Sequence, residues 1–120
     1  MDYKEVLKNM LPEGLLDCFE LKEMKLLRAT EHELERYVIV LYEKNELPEG
    51  LKEEDYESKG FYKPRLIQDF PLRGKPVYLE LRRRRWRNKQ DKKDIHRDFT
   101  LLAEGTKFTK ELSDFLKSAY

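Results

Sequence analysis

The chain has 120 residues, of which 39% are hydrophobic and 41% charged, and a formal net charge of +1. That length suits one domain with a core that needs no staples, and the single cysteine, Cys18, excludes an internal disulfide and a cysteine-based zinc site. No apolar run approaches the ~18 residues of a membrane span, and Met1-Asp2-Tyr3-Lys4-Glu5 lacks an apolar signal core, so no membrane partner and a cytoplasmic location are expected.

Asp2 with Glu5 three residues later has the form of a capping box opening a helical region over 1–17. Tyr3, Val6, Leu7, Met10 and Leu11 recur at helical spacing and build one apolar stripe. The stripe is expected to face the core, with a partner's groove as the other destination. Pro12 and Gly14 break it.

Residues 18–43 fit a β-hairpin. Residues 18–28 alternate imperfectly, with a phase slip near Glu23 that a bulge absorbs. The stretch 36–43, Arg-Tyr-Val-Ile-Val-Leu-Tyr-Glu, is rich in β-branched and aromatic types. One long helix through 20–42 is the competing reading, because Leu27, Leu34, Val38 and Leu41 also recur at helical spacing. Cys18 reads as a small buried apolar residue. Residues 44–58 form an acidic loop punctuated by Pro48 and Gly50, a solvated face or an electrostatic shield for the basic half of the chain.

After Gly60 the character turns to β. Residues 61–70 read as one extended segment, with Pro64 confining its first part to an edge. Residues 71–76 form a turn in which Gly74 takes positive φ. Val77, Leu79 and Leu81 alternate with Tyr78, Glu80 and Arg82, a half-buried strand. It runs on through the arginines to a polar turn at 88–93, with 95–102 returning as its partner. Finally Thr109 caps a helix over 109–119 that carries Leu112, Phe115, Leu116 and Ala119 on one face.

The near-neutral total hides two halves of opposite sign. Residues 1–58 hold sixteen acids and eight basic residues, about −8, while residues 59–97 hold fourteen Lys and Arg against four acids, about +10. Such a cluster binds polyanions by displacing condensed counterions, which makes nucleic acid the leading partner. A ribbon from Val77 to about Leu102 would place Arg82, Arg84 and Trp86 on one face and Arg83, Arg85 and Arg87 on the other. Guanidinium on both faces cannot all lie over a core, so the distal end, with Lys89, Lys92 and Lys93 at its tip, is expected to project and to fit a DNA groove. Arg73, Lys75 and Arg97 are outlying contacts, and Trp86 either braces the ribbon or stacks on bases. The competing structural reading pairs the arginines with the acids of the first half.

Enzyme chemistry finds no support: there is no Gly-rich phosphate loop, no nucleophile motif and no His-rich metal spacing. Asp69, Asp94 and Asp98 read as caps or ion-pair partners. No catalytic residue, metal or cofactor is expected.

Residues 58–106 resemble the N-terminal region of certain bacterial insertion-sequence transposases. In that family an aromatic-basic stretch leads into an (Ile/Leu)-x-Asp-(Leu/Phe)-Pro-x-x-Gly-x-Pro-Val turn and a strand ending in Arg-Arg-aromatic. Ile67-Gln68-Asp69-Phe70-Pro71-Leu72-Arg73-Gly74-Lys75-Pro76-Val77 and Arg84-Arg85-Trp86 match that pattern in order. The resemblance implies a zinc ribbon, a following helix-turn-helix, whose start residues 109–119 resemble, and a downstream acidic-triad core. Positions 50–58 and 87–94 contain none of the family's cysteines, so zinc is not carried over, and the chain stops at Tyr120 before any catalytic core.

Together these readings predict an α+β fold in one domain, a small antiparallel sheet with a projecting basic hairpin between N-terminal and C-terminal helices. The expected function is a non-catalytic DNA-binding unit that recognises or positions transposon-end DNA for a separately encoded transposase catalytic subunit. The alternatives are an adaptor that docks on a transposase and an RNA-binding β-ribbon.

Overall fold

The computed structural model describes residues 3–99 and 108–118. Helices α1 (Tyr3–Met10) and α2 (Leu15–Cys18) precede strands β1 (Phe19–Leu27) and β2 (Arg36–Glu43). A 3-10 turn (Glu53–Asp55) leads into β3 (Tyr56–Phe61), β4 (Arg65–Leu72), β5 (Lys75–Arg82), β6 (Arg84–Asn88) and β7 (Asp94–Ile95), and helix α3 (Lys110–Ser118) follows. The fold is α+β, with helices flanking the strands at both ends.

The strands form two sheets, ordered β1-β2-β5-β4 and β3-β6-β7. β1 and β2 pair antiparallel as the hairpin reading expects, and the register slips between Leu21 and Glu23 where the alternation does. β2 also pairs with β5 in parallel, so the first sheet is mixed rather than purely antiparallel. This explains the unbroken run Val38-Ile39-Val40-Leu41, all four buried: β2 is a central strand, not a half-wet one. Ile39 and Leu41 join Leu11, Leu15, Phe19, Ile67, Val77, Leu79 and Leu81 in one core cluster, against which Cys18 and Phe99 pack.

Several expectations are corrected. The apolar stripe of α1 does not face the core: Tyr3, Val6 and Met10 are exposed, and Leu11, just beyond the helix, is its buried member. The proposed cap Asp2 lies outside the described residues. The acidic segment 44–58 is not all loop, because Tyr56, Glu57 and Ser58 belong to β3. The extended segment 61–70 breaks at Tyr62–Pro64 into an edge strand of each sheet. The turn after β4 contracts to Arg73-Gly74, with φ of 55° and 77°. Two successive positive-φ residues between Leu72 and its partner Lys75 make a two-residue hairpin turn whose twist matches the strands.

The largest correction concerns the basic ribbon. Strand alternation fails at Arg83, which lies between β5 and β6 and whose carbonyl accepts the Tyr62 N–H at 2.9 Å. Leu81 and Trp86 are therefore both buried although an uninterrupted period of two would put them on opposite faces. β6 does not project: β3 flanks it on one side and β7 on the other. The returning strand is only Asp94–Ile95: residues 96–99 of the expected partner are not in a strand, and residues 100–102 lie outside the described residues.

At the C-terminal end, Thr109 caps α3 as expected, its Oγ1 accepting the Leu112 N–H at 3.2 Å. The same hydroxyl donates to Asp69 Oδ1 at 3.0 Å, both residues being buried. Leu112 faces inward, but Phe115 and Leu116 are exposed, and Ala119 lies outside the described residues.

Candidate nucleic-acid interface

Four consecutive arginines bridge the two sheets, and each lies against an aromatic ring. The Arg82 guanidinium carbon is 5.1 Å from the Tyr42 ring centroid, a neighbour set by the β2–β5 register. Arg84 is 4.5 Å from Phe61, its partner in the β3–β6 register. Tyr42 and Phe61 themselves meet at 5.1 Å, so these two arginines share one aromatic platform that spans the sheets. Arg83 and Arg85, at 5.6 and 5.9 Å, share Tyr62, whose ring also meets His96 edge-on at 5.9 Å. Stacking of this kind is worth roughly 0.5–1 kcal/mol each where exposed, and it orients the guanidinium fork without consuming its donors.

Glu43 fixes the crossing point. It is 2% exposed at the end of β2, and its Oε1 accepts the Arg84 main-chain N–H at 2.8 Å. Arg84 makes a second link, donating Nε to the Glu43 carbonyl at 3.3 Å and a terminal nitrogen to Ser58 Oγ at 2.8 Å. Arg97 Nε lies 3.4 Å from Glu43 Oε2. Burial pushes the Glu43 carboxyl up, against the pull of the Arg84 N–H and of the Arg97 and Arg83 charges.

The predicted site residues separate into three groups. Arg82, Arg83, Arg84 and Arg85 are brought together, half-buried, around the rings. Lys89, Lys92 and Lys93 stand on the turn between β6 and β7, which Asn88 and Asp91 side chains brace by accepting main-chain N–H groups. All three lysines are exposed. The others lie outside both groups, although Arg84 and Arg85 within the row are also held, Arg84 as above and Arg85 by the Lys59 carbonyl at 3.2 Å. Arg87 forks onto Asp94 at 2.7 and 3.4 Å, holding the carboxyl of Asp94 below its ordinary range. Arg97 turns inward to Glu43 and to the Glu46 carbonyl at 2.6 Å. Lys75 pairs with Glu35 at 2.9 Å, and Arg73, though exposed, sits beyond the far end of β5, on the order of 30 Å from Arg82 at the usual rise per residue.

Trp86 is no stacking platform. It is 1% exposed, and its indole N–H donates to Asn45 Oδ1 at 2.9 Å, so its role is to anchor β6.

Of the fourteen basic residues between 59 and 97, six have a carboxylate within 4 Å among the described residues: Lys59, Lys75, Arg82, Arg85, Arg87 and Arg97. The ion-pairing reading of the cluster therefore accounts for less than half of it. Only Glu35, Glu43 and Glu57 of the first half serve as those partners.

No family model matches the chain, and no curated protein or solved structure matches it.

The sequence reading missed Tyr42, Phe61 and Tyr62 as site residues. The available signal was their type: three rings among strands whose neighbours are arginines. The pairing of Tyr42 with Arg82 depends on a parallel β2–β5 register that no local pattern announces. Glu43 was missed too, because it looked like one more acid in an acidic half.

Proposed function

We propose that the chain is a non-catalytic DNA-binding unit that recognises or positions transposon-end DNA for a separately encoded transposase catalytic subunit. The observation that carries the binding reading is the row Arg82–Arg85, four guanidiniums held in place by Tyr42, Phe61 and Tyr62. A guanidinium pre-oriented by a ring loses less freedom on meeting a phosphate than one on a free surface. The lysines at 89, 92 and 93 extend the charge beyond the row. The transposon assignment is supported by the likeness of residues 67–77 and 84–86 to the transposase pattern. Residues 67–77 form the β4–β5 hairpin that leads into the arginines. No helix among the described residues is long and apolar enough to cross a membrane, and a cytoplasmic location belongs to the same proposal.

A second reading has its own observation. Phe70 and Phe115 meet at 5.5 Å, yet both are exposed, as are Leu72 and Leu116. An apolar patch of this kind fits an adaptor that docks on a transposase.

Reversing charge at Arg83 and Arg85 separates the two. Under the DNA reading, affinity for DNA falls several-fold for each arginine reversed, measured on the folded fraction, because Arg85 also lies 3.8 Å from Asp94 and its reversal costs stability of its own. Unchanged DNA affinity in a folded double variant would leave the adaptor reading standing alone.

A further inference from the structure

We infer that the arginine–aromatic surface takes an unpaired DNA strand in preference to a duplex groove. This deepens the DNA-binding proposal and rests on it. Two observations carry it, one of shape and one of chemistry.

Reading the major groove of a duplex, about 12 Å wide and about 8.5 Å deep, needs a helix or a two-stranded ribbon that stands clear of the molecule. The arginines lack such an element. Arg82 ends β5 and Arg84 and Arg85 lie on β6, each an inner strand of its sheet, and Arg87 spends its guanidinium fork on Asp94. The turn after Asn88 carries lysines instead, which are point charges for phosphates rather than base readers.

The chemistry of the surface matches a single strand. Arg82 and Arg84 cover the Tyr42 and Phe61 rings, and Arg83 and Arg85 share Tyr62, so the surface presents two half-exposed clusters of guanidinium planes, each backed by aromatic rings. In a duplex every base face is occupied by its neighbours in the stack. An unpaired strand offers free base faces to guanidinium and aromatic planes while its phosphates meet the adjoining charges. Contacts of that type are indifferent to sequence and favour the strand whose bases are unstacked at no cost, such as oligothymidylate.

The experiment is a fluorescence anisotropy titration of the full chain with oligothymidylate and with a duplex of equal length at one salt concentration. It is repeated on a variant carrying Arg83→Lys and Arg85→Lys. Lysine keeps the charge and loses the plane, and circular dichroism melts confirm that the variant folds. The expected result is at least ~ten-fold tighter binding of the single strand, with the lysine variant losing about five-fold or more on the single strand and little on the duplex. Duplex bound as tightly as single strand, or a lysine variant that binds the single strand like the parent, would overturn the inference while leaving DNA binding intact. Binding of neither probe would overturn the DNA-binding proposal as well.

Discussion

Glu43 and Arg84 hold each other twice: the Glu43 carboxylate accepts the Arg84 main-chain N–H at 2.8 Å, and the Arg84 side chain donates to the Glu43 carbonyl at 3.3 Å. This reciprocal pair sits where the chain leaves one sheet for the other, next to Arg83, and it sets the direction in which the following arginines point.

Glu43→Ala is expected to cost about 3–5 kcal/mol, because it strands the Arg84 N–H and leaves Arg97 without its buried counter-charge. Glu43→Gln keeps the acceptor for the Arg84 N–H but not the charge that faces Arg97, and is expected to cost clearly less than the Ala variant at neutral pH. The sign of the pH effect comes from burial, which raises the carboxyl above its unfolded value. Its stabilising contribution is full below the unfolded carboxylate pKa and is lost as pH rises through the folded value. Urea melts over that range should show the Gln variant losing less stability than the parent as pH rises.

Asp94 acts in the opposite direction. The hydrogen bond and charge of Arg87 hold its carboxyl down, so the stability it contributes is present above the ordinary aspartate pKa and disappears as pH falls through the depressed one. Asp94→Asn is expected to flatten the acid limb of the stability curve while freeing Arg87. An acid titration followed by circular dichroism checks it: an acid limb identical to the parent's contradicts the pairing.

Trp86→Ala is expected to cost about 3–5 kcal/mol through the cavity it leaves, and any folded fraction should bind DNA like the parent. Asn45→Ala, which removes the acceptor of the buried indole N–H, is expected to cost about 1–3 kcal/mol. A stable Trp86→Ala protein with weakened DNA binding would restore the stacking role that the structure removes.

These sites show why some of the molecule was legible in the sequence and some was not. The β1–β2 hairpin, its bulge after Leu21, the positive φ of Gly74 and the Thr109 cap all arise from neighbours close in the chain, where periodicity and turn chemistry act. The parallel pairing of Val38 with Tyr78 joins strands far apart in the chain and leaves no local trace beyond an unusually apolar run. The same limit applies to the arginines. Alternation through Leu81 extrapolated to a projecting ribbon, yet Arg83 interrupts it because Glu43 and Tyr62, distant in sequence, capture the main chain on either side. Charge segregation marked out the basic region, but it counted Arg87 and Arg97 as free when Asp94 and Glu43 hold them. The exposed stripe of α1 is a further case: its helical period says that one face is apolar, not what the face meets.

The central claim is that the cluster around Arg82–Arg85 binds DNA through its phosphates, and the salt dependence of affinity tests it most directly. With about six phosphates contacted, log K should fall linearly with log salt, with a slope of roughly −5 for a duplex and roughly −4 for a single strand. A slope indistinguishable from zero, or no binding at low salt, would contradict the account.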